Sequence, residues 1–209
     1  MNILIVGATG VTGRTLAEQA LARGHHVTTL TRDPAKLAFS HAQLTVIPGD
    51  VLDPACVDAA VASQDAVLIL LSQPSLNAPS TVSSAGTQHI VQAMERHGVR
   101  RLVSVTMLGI GASRKNASVL YNRLLVPLVL KHVMHDKQRQ EDAIQHSALD
   151  WTIVRPPRLT DAAARAQFAV IADGPGTVNS MPRGDLAAFM LSQVADQRFV
   201  RQAVVVGYA

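Results

Sequence analysis

Asn2-Ile3-Leu4-Ile5-Val6-Gly7-Ala8-Thr9-Gly10-Val11-Thr12-Gly13 opens the chain, followed by Arg14-Thr15-Leu16-Ala17-Glu18-Gln19-Ala20-Leu21-Ala22. Residues 2–6 form an apolar run of strand length, and Leu16, Ala20 and Leu21 recur at helical spacing. The three glycines therefore stand where a buried strand turns into a helix. In that context Gly7 permits a tight turn, Gly10 removes a Cβ that would block a phosphate, and Gly13 lets helix and strand pack closely. Backbone N–H groups at the positive end of a helix are an anion site, so a pyrophosphate is the expected occupant. Thr9 and Thr12 add hydroxyls for phosphate or for capping, and Val11 lies between the glycines.

The rest of the chain alternates in the same way. Strand-like runs stand at 26–31, 44–47, 65–71, 101–106 and 151–155, with weaker ones at 168–171 and 203–206. Helical segments are expected at about 55–62, 80–97 and 132–146, with a last helix beginning at Arg183. Apolar strands alternating with helices imply an α/β fold, a single Rossmann-like doubly wound parallel sheet with helices on both faces. With 209 residues, 48% of them hydrophobic, and neither repeats nor low-complexity linkers, one NAD(P)-binding domain over residues 1–209 is the expectation.

Several function classes are disfavoured. The net charge is +4, but the basic residues are scattered and aromatics make up 3%, which argues against nucleic acid and suits an anionic cofactor. No apolar run approaches the roughly 20 residues that span a bilayer, and no membrane association is expected. The single Cys56 excludes an internal disulfide and suits a reducing cytoplasm; it reads as a small buried residue at a helix start rather than a nucleophile. Strand residues beginning at Asn2 speak against a leader. His132 and His135 have no evident third ligand, so no metal is expected.

In a doubly wound sheet the ligand lies across the carboxyl ends of the strands. The second strand ends in Thr31-Arg32-Asp33-Pro34. A guanidinium there matches the 2′-phosphate of NADP, whereas a carboxylate would grip the ribose of NAD. Asp33 before Pro34 reads as a helix N-cap, and Lys36 can add positive charge, so NADP is favoured over NAD. Asp50 and Val51 follow the third strand and can meet the adenine. Leu71 and Ser72 end the fourth, near the ribose and pyrophosphate. Thr106 and Met107 end the fifth, near the nicotinamide, which Pro156 and Pro157 can wall. Lys137, on the helix before the sixth strand, reads as a surface lysine, with a place facing the site as the alternative.

Together these stretches resemble the atypical short-chain dehydrogenase/reductase superfamily, in particular the biliverdin reductase B / flavin reductase family, within the NAD(P)H-binding, NmrA-like group. The resemblance rests on Val6–Gly13, Thr31-Arg32-Asp33, Gly49-Asp50-Val51-Leu52, Asp65–Leu71, Ala93–Val99 and Ser147–Pro157. It thins between about 109 and 136. It implies an NADPH-binding domain that hands hydride to flavins or linear tetrapyrroles, with cofactor contacts at Gly7, Thr9, Gly10, Thr12, Gly13, Arg32, Asp50, Val51 and Thr106.

Two positions depart from that family. Met107 stands where it has a serine, and Arg158 where it has a histidine. The superfamily's Tyr-x-x-x-Lys is absent at Tyr121, which is followed four residues later by Leu125. Tyr121 is therefore expected in packing or in a flap, with substrate contact as the alternative. The best reading is an NADPH-dependent reductase passing hydride to a flat aromatic acceptor such as a flavin or quinone, in a pocket that includes Met107 and Arg158. A non-catalytic NADP(H)-binding redox sensor is the alternative, and an epimerase-like role ranks third. Oligomeric state is not encoded in these patterns; the apolar segment 119–129 suits a core or an interface equally.

Overall fold

The structure is a computed structural model that describes residues 1–72, 78–118, 123, 126 and 129–209. Its first half runs β1 (Asn2–Val6), α1 (Val11–Ala22), β2 (His26–Thr31), β3 (Leu44–Pro48), α2 (Pro54–Val61), β4 (Ala66–Ile69), α3 (Val82–His97) and β5 (Arg101–Val105). The second half runs α4 (Lys131–Gln145), β6 (Asp150–Arg155), β7 (Arg158–Thr160), β8 (Ala169–Ile171), β9 (Ser180–Pro182), α5 (Arg183–Ser192) and β10 (Gln202–Gly207).

Among the described residues the main sheet has the order β3-β2-β1-β4-β5-β6-β10-β8. Every pairing in it is parallel except β10 with β8, so this is the expected doubly wound sheet with one antiparallel edge strand. The alternation of side chains along β1 explains the two helical layers. Ile3 and Ile5 pack with Leu16, Ala17 and Ala20 of α1 and Leu186 of α5. Leu4 and Val6 point the other way, onto Val57 of α2, Ile90 and Met94 of α3 and Ile144 of α4. Each such side chain contributes roughly 1.5–3 kcal/mol on burial. A separate parallel pair, β7 with β9, lies beyond the sheet.

Three local expectations shift. α1 begins at Val11, a turn earlier than the apolar spacing suggests, with Gly10 as N-cap and no side-chain cap bond. Gly13 thus lies inside the helix, where a Cβ would fall 2.1 Å from the Gly7 carbonyl oxygen. Asp33 does cap the backbone behind it, its Oδ1 accepting from Ala35 N at 3.1 Å, but the capped element is a single 3-10 turn at Pro34–Lys36. Cys56 is half-buried in the first turn of α2, and its Sγ donates to Asp53.

Helix ends are closed from two sources. α3 stops at Gly98 in the left-handed region (φ 69°), with Arg96 and His97 in its last turn. Its amino end is closed by Asp136 of α4, which accepts from Ser83 N (3.0 Å), Ser84 N (3.1 Å) and Ser84 Oγ (2.6 Å). This carboxylate, 1% exposed, ties the two helices together. No helix among the described residues is long and apolar enough to cross a membrane.

Candidate functional site

The strand order reverses beside β1, and the chain leaves β1 and its neighbour β4 on opposite sides of one crevice. Gly7 makes the turn out of β1 at φ +99°, and a Cβ there would lie 2.6 Å from the Leu70 carbonyl oxygen. Gly10 is different: the nearest atom to its would-be Cβ is Gly7 O, at 3.5 Å, so the space above it is open. With no side-chain cap on α1, the first N–H groups of that helix face this cradle.

Two lobes meet at the glycine turn. One, of about 250 Å³, is lined by Gly7, Thr9 and Gly10 together with Thr31, Arg32, Asp50, Val51, Leu71 and Ser72. The other, of about 330 Å³, joins Gly10, Val11, Thr12 and Gly13 to Thr106, Lys137, Leu159 and Arg183. The residues expected to meet a dinucleotide up to Thr106 are thus brought to one cleft. In the first lobe Gly86 of α3 lets Val51 approach, since a Cβ there would lie 2.8 Å from a Val51 methyl. Asp50 Oδ1 accepts from Leu52 N at 3.0 Å and braces the turn after β3.

Met107, Pro156, Pro157 and Arg158 line a neighbouring pocket of about 390 Å³ with Leu108, Val178 and Asn179. Consecutive residues, Thr106 and Met107, thus line the second lobe and this pocket. Tyr121 lies outside the described residues. A larger hollow, of about 510 Å³, opens at the other ends of the strands beside Arg100, Arg101 and Asp150. Its charges are engaged within the protein: Arg100 pairs with Asp150 at 3.0 Å, and Arg101 donates to Gln193 O and Thr152 Oγ1 at 2.8 Å.

Lys137 takes the less favoured of its two expected places. It is not a surface residue: it is 6% exposed, on the face of α4 that turns toward the sheet. Its Nζ donates to the Leu71 carbonyl (2.6 Å) and to Gln140 Oε1 (2.9 Å), with the Val105 carbonyl at 3.4 Å. It thereby bridges the ends of β4 and β5. Burial pushes its pKa down to about 8, against a weaker opposing pull from Asp136 and Glu141.

One turn further along α4, Glu141 is fully buried. It accepts from Thr106 Oγ1 at 2.6 Å and from Arg155 Nε at 3.0 Å, with Arg155 Nη2 on its second oxygen. The Thr106 hydroxyl hydrogen is therefore committed to Glu141, and Thr106 offers the cleft only acceptor lone pairs. Helical spacing gives Lys137 and Glu141 a shared face, i and i+4, but nothing local indicates that this face turns inward.

The lysine makes stability depend on pH in a defined direction. Below pH 8 it is protonated whether the chain is folded or not, and the cost of burying the charge is fully present. Between 8 and 10.5 the unfolded chain binds more protons than the folded one, so stability rises with pH. The whole shift amounts to on the order of 3 kcal/mol. The unfolding free energy of the wild type minus that of Lys137→Met is expected to climb across this window. Denaturant unfolding at a series of pH values measures it, and a flat difference would return Lys137 to an ordinary pKa.

Comparison with known proteins agrees with this architecture. A (4-alkanoyl-5-oxo-2,5-dihydrofuran-3-yl)methyl phosphate reductase from Streptomyces griseus is 27% identical over 154 residues, which cover 74% of this chain and 46% of the relative. The chain spans about half the length of the curated relatives it matches. A Rossmann-fold NAD(P)-binding family protein from Shigella flexneri superimposes with a TM-score of 0.78 at 25% identity, covering 99% of this chain and 93% of its own. ChuY, an anaerobillin reductase from Escherichia coli O157:H7, has a TM-score of 0.81 at 24% identity over 99% of this chain and 97% of its own, a likeness of fold. The family model for NAD(P)H-binding proteins matches residues 7–197, from the glycine turn through α5. The chain therefore belongs to this NAD(P)H-binding family.

Proposed function

We propose that residues 1–209 act as one NADP-binding domain, in the cytoplasm, and that the chain is an NADPH-dependent reductase for a flat acceptor such as a flavin or quinone. The observation that carries this reading is the succession of Thr106 and Met107. The first lines the glycine-turn cleft, and the second lines a pocket walled by Leu108, Pro156, Pro157 and Val178. The open cradle above Gly10 and the uncapped start of α1 fit a pyrophosphate.

NADP is favoured by the division of labour at the end of β2. The Asp33 carboxylate is occupied by Ala35 N and has Lys36 Nζ 3.7 Å away, which leaves Arg32 to meet a 2′-phosphate. The Arg32→Asp variant should lower the preference for NADPH over NADH by about tenfold or more, the worth of a charge-assisted hydrogen bond. Steady-state kinetics with both cofactors reads this, and an unchanged ratio would exclude Arg32 from recognition of the 2′-phosphate.

When bound, the nicotinamide supplies the hydride. The chain has to hold two rings in contact and keep water away. Thr106, fixed by Glu141, would offer an acceptor to the cofactor amide, and Lys137 stiffens the strand ends beside it. Pro156 and Pro157 form an inflexible wall, and Arg158 meets an anionic group of the acceptor or the charge that develops on it.

The test is NADPH oxidation with FMN, riboflavin and quinones. Turnover above background with at least one of them supports the reading. NADPH binding without any turnover overturns it in favour of a non-catalytic sensor. That second reading draws on Val133, which stands four residues before Lys137, where a Tyr-x-x-x-Lys pair would place its phenol.

A further inference from the structure

We propose that Arg183 is a pyrophosphate ligand held in reserve by Asp161; this rests on the reading that the cleft binds NADP. Arg183 is the first residue of α5, and its side chain forms part of the wall of the lobe that also contains Gly10, Val11, Thr12 and Gly13. Its backbone position is fixed from α1, because Gln19 Nε2 donates to the neighbouring Gly184 carbonyl at 3.0 Å. A cation is thus built into the same lobe as the glycine turn, carried by a helix that packs on the helix behind that turn.

A dinucleotide pyrophosphate carries two negative charges, and the glycine turn offers it backbone dipoles and the Thr9 and Thr12 hydroxyls but no positively charged side chain. Among the described residues lining this lobe, the positively charged side chains are Lys137 and Arg183. Lys137 already shares its protons among Leu71 O, Val105 O and Gln140 Oε1. Arg183 is differently placed. It pairs with Asp161, Nη1 to Oδ1 at 2.6 Å, and the Asp161 side chain is 82% exposed. A pair with so wet a carboxylate contributes little, so exchange for a phosphate in the lobe is inexpensive. A guanidinium also presents a fork of donors suited to phosphate oxygens. Asp161 thereby competes with the cofactor for Arg183 and lowers the affinity of the cleft.

Calorimetric titration of the full chain with three ligands separates this role from others. NADPH carries both the pyrophosphate and the 2′-phosphate, ADP-ribose only the pyrophosphate, and adenosine 2′-monophosphate only the 2′-phosphate. The Arg183→Gln variant should weaken NADPH and ADP-ribose about tenfold, one charge-assisted contact, and leave adenosine 2′-monophosphate within about twofold. The Asp161→Asn variant should bind NADPH and ADP-ribose more tightly than the wild type. Unchanged NADPH and ADP-ribose affinity in Arg183→Gln overturns the proposal, as does an equal loss of all three ligands. Weaker NADPH binding by Asp161→Asn overturns it too, because the pair would then be a structural brace. If the wild type binds none of the three, the NADP reading itself falls, an outcome distinct from failure of Arg183 alone.

Discussion

Gly13→Ala is expected to destabilise the fold by about 3 kcal/mol, whereas Gly10→Ala leaves stability nearly unchanged and removes cofactor affinity. What decides between the two positions is what surrounds the missing Cβ. At Gly13 the added carbon would sit 2.1 Å from Gly7 O, 2.7 Å from Gly7 C and 2.9 Å from the Ala8 Cα. All three are backbone atoms at the junction of β1 and α1, so the helix itself must move away from the sheet. Relief would have to be found among Leu16, Ala17 and Ala20, which are fully buried.

At Gly10 the added carbon has only Gly7 O in reach, at an ordinary 3.5 Å. Nothing in the protein is displaced, but the methyl occupies the cradle where a phosphate would approach the helix N–H groups. Each charge-assisted hydrogen bond lost there is worth about 1.5–3 kcal/mol, so NADPH affinity should fall at least tenfold. Thermal unfolding paired with NADPH titration separates the two variants. Equal stability losses would mean that the turn is sterically uniform; retained affinity in Gly10→Ala would move the phosphate site elsewhere.

Glu141→Leu should cost about 3–5 kcal/mol, because it strands the Arg155 guanidinium inside the protein. The glutamate is fully buried and the arginine side chain is 8% exposed, so water cannot take over as partner. Adding Arg155→Met removes the orphaned charge, and the double variant should recover most of the loss as an apolar pair of similar volume. It should not recover function. Thr106 Oγ1 would still lack the acceptor that fixes it, and its hydroxyl would turn freely at the cleft. Denaturant midpoints of the single and double variants, beside their NADPH turnover, test both halves. A double variant as unstable as the single would show that the ion pair is not the source of the cost.

Most of the cleft was legible in the sequence for a local reason. The glycine turn, Arg32, Asp50, Val51 and Thr106 each follow directly from the end of a strand, and the parallel α/β arrangement brings those ends together whatever the details of packing. Lys137, Glu141 and Arg183 have no such local mark. Lys137 meets Leu71 across 66 positions, and Glu141 meets Thr106 across 35. A lysine and a glutamate four apart on a polar helix look like a solvated pair, and they reach the strand ends only because α4 rotates that face onto the sheet. The antiparallel edge strand β8 was also beyond reach of pattern alone, since a three-residue run such as Ala169–Ile171 says nothing of its direction.

The sequence by itself determined the order of the main-sheet strands and of the helices, the glycine turn and the position of a guanidinium at the end of β2, because strand periodicity and glycine sterics act over a few residues; the short pair β7 and β9 carried no such mark. Only the tertiary structure decided which charged side chains are buried beside the cleft, and that Arg183 lines the same lobe as the glycine turn. Burial and pairing are properties of surfaces that meet across the fold, and desolvation, which brings Lys137 to about 8, exists only once they have met.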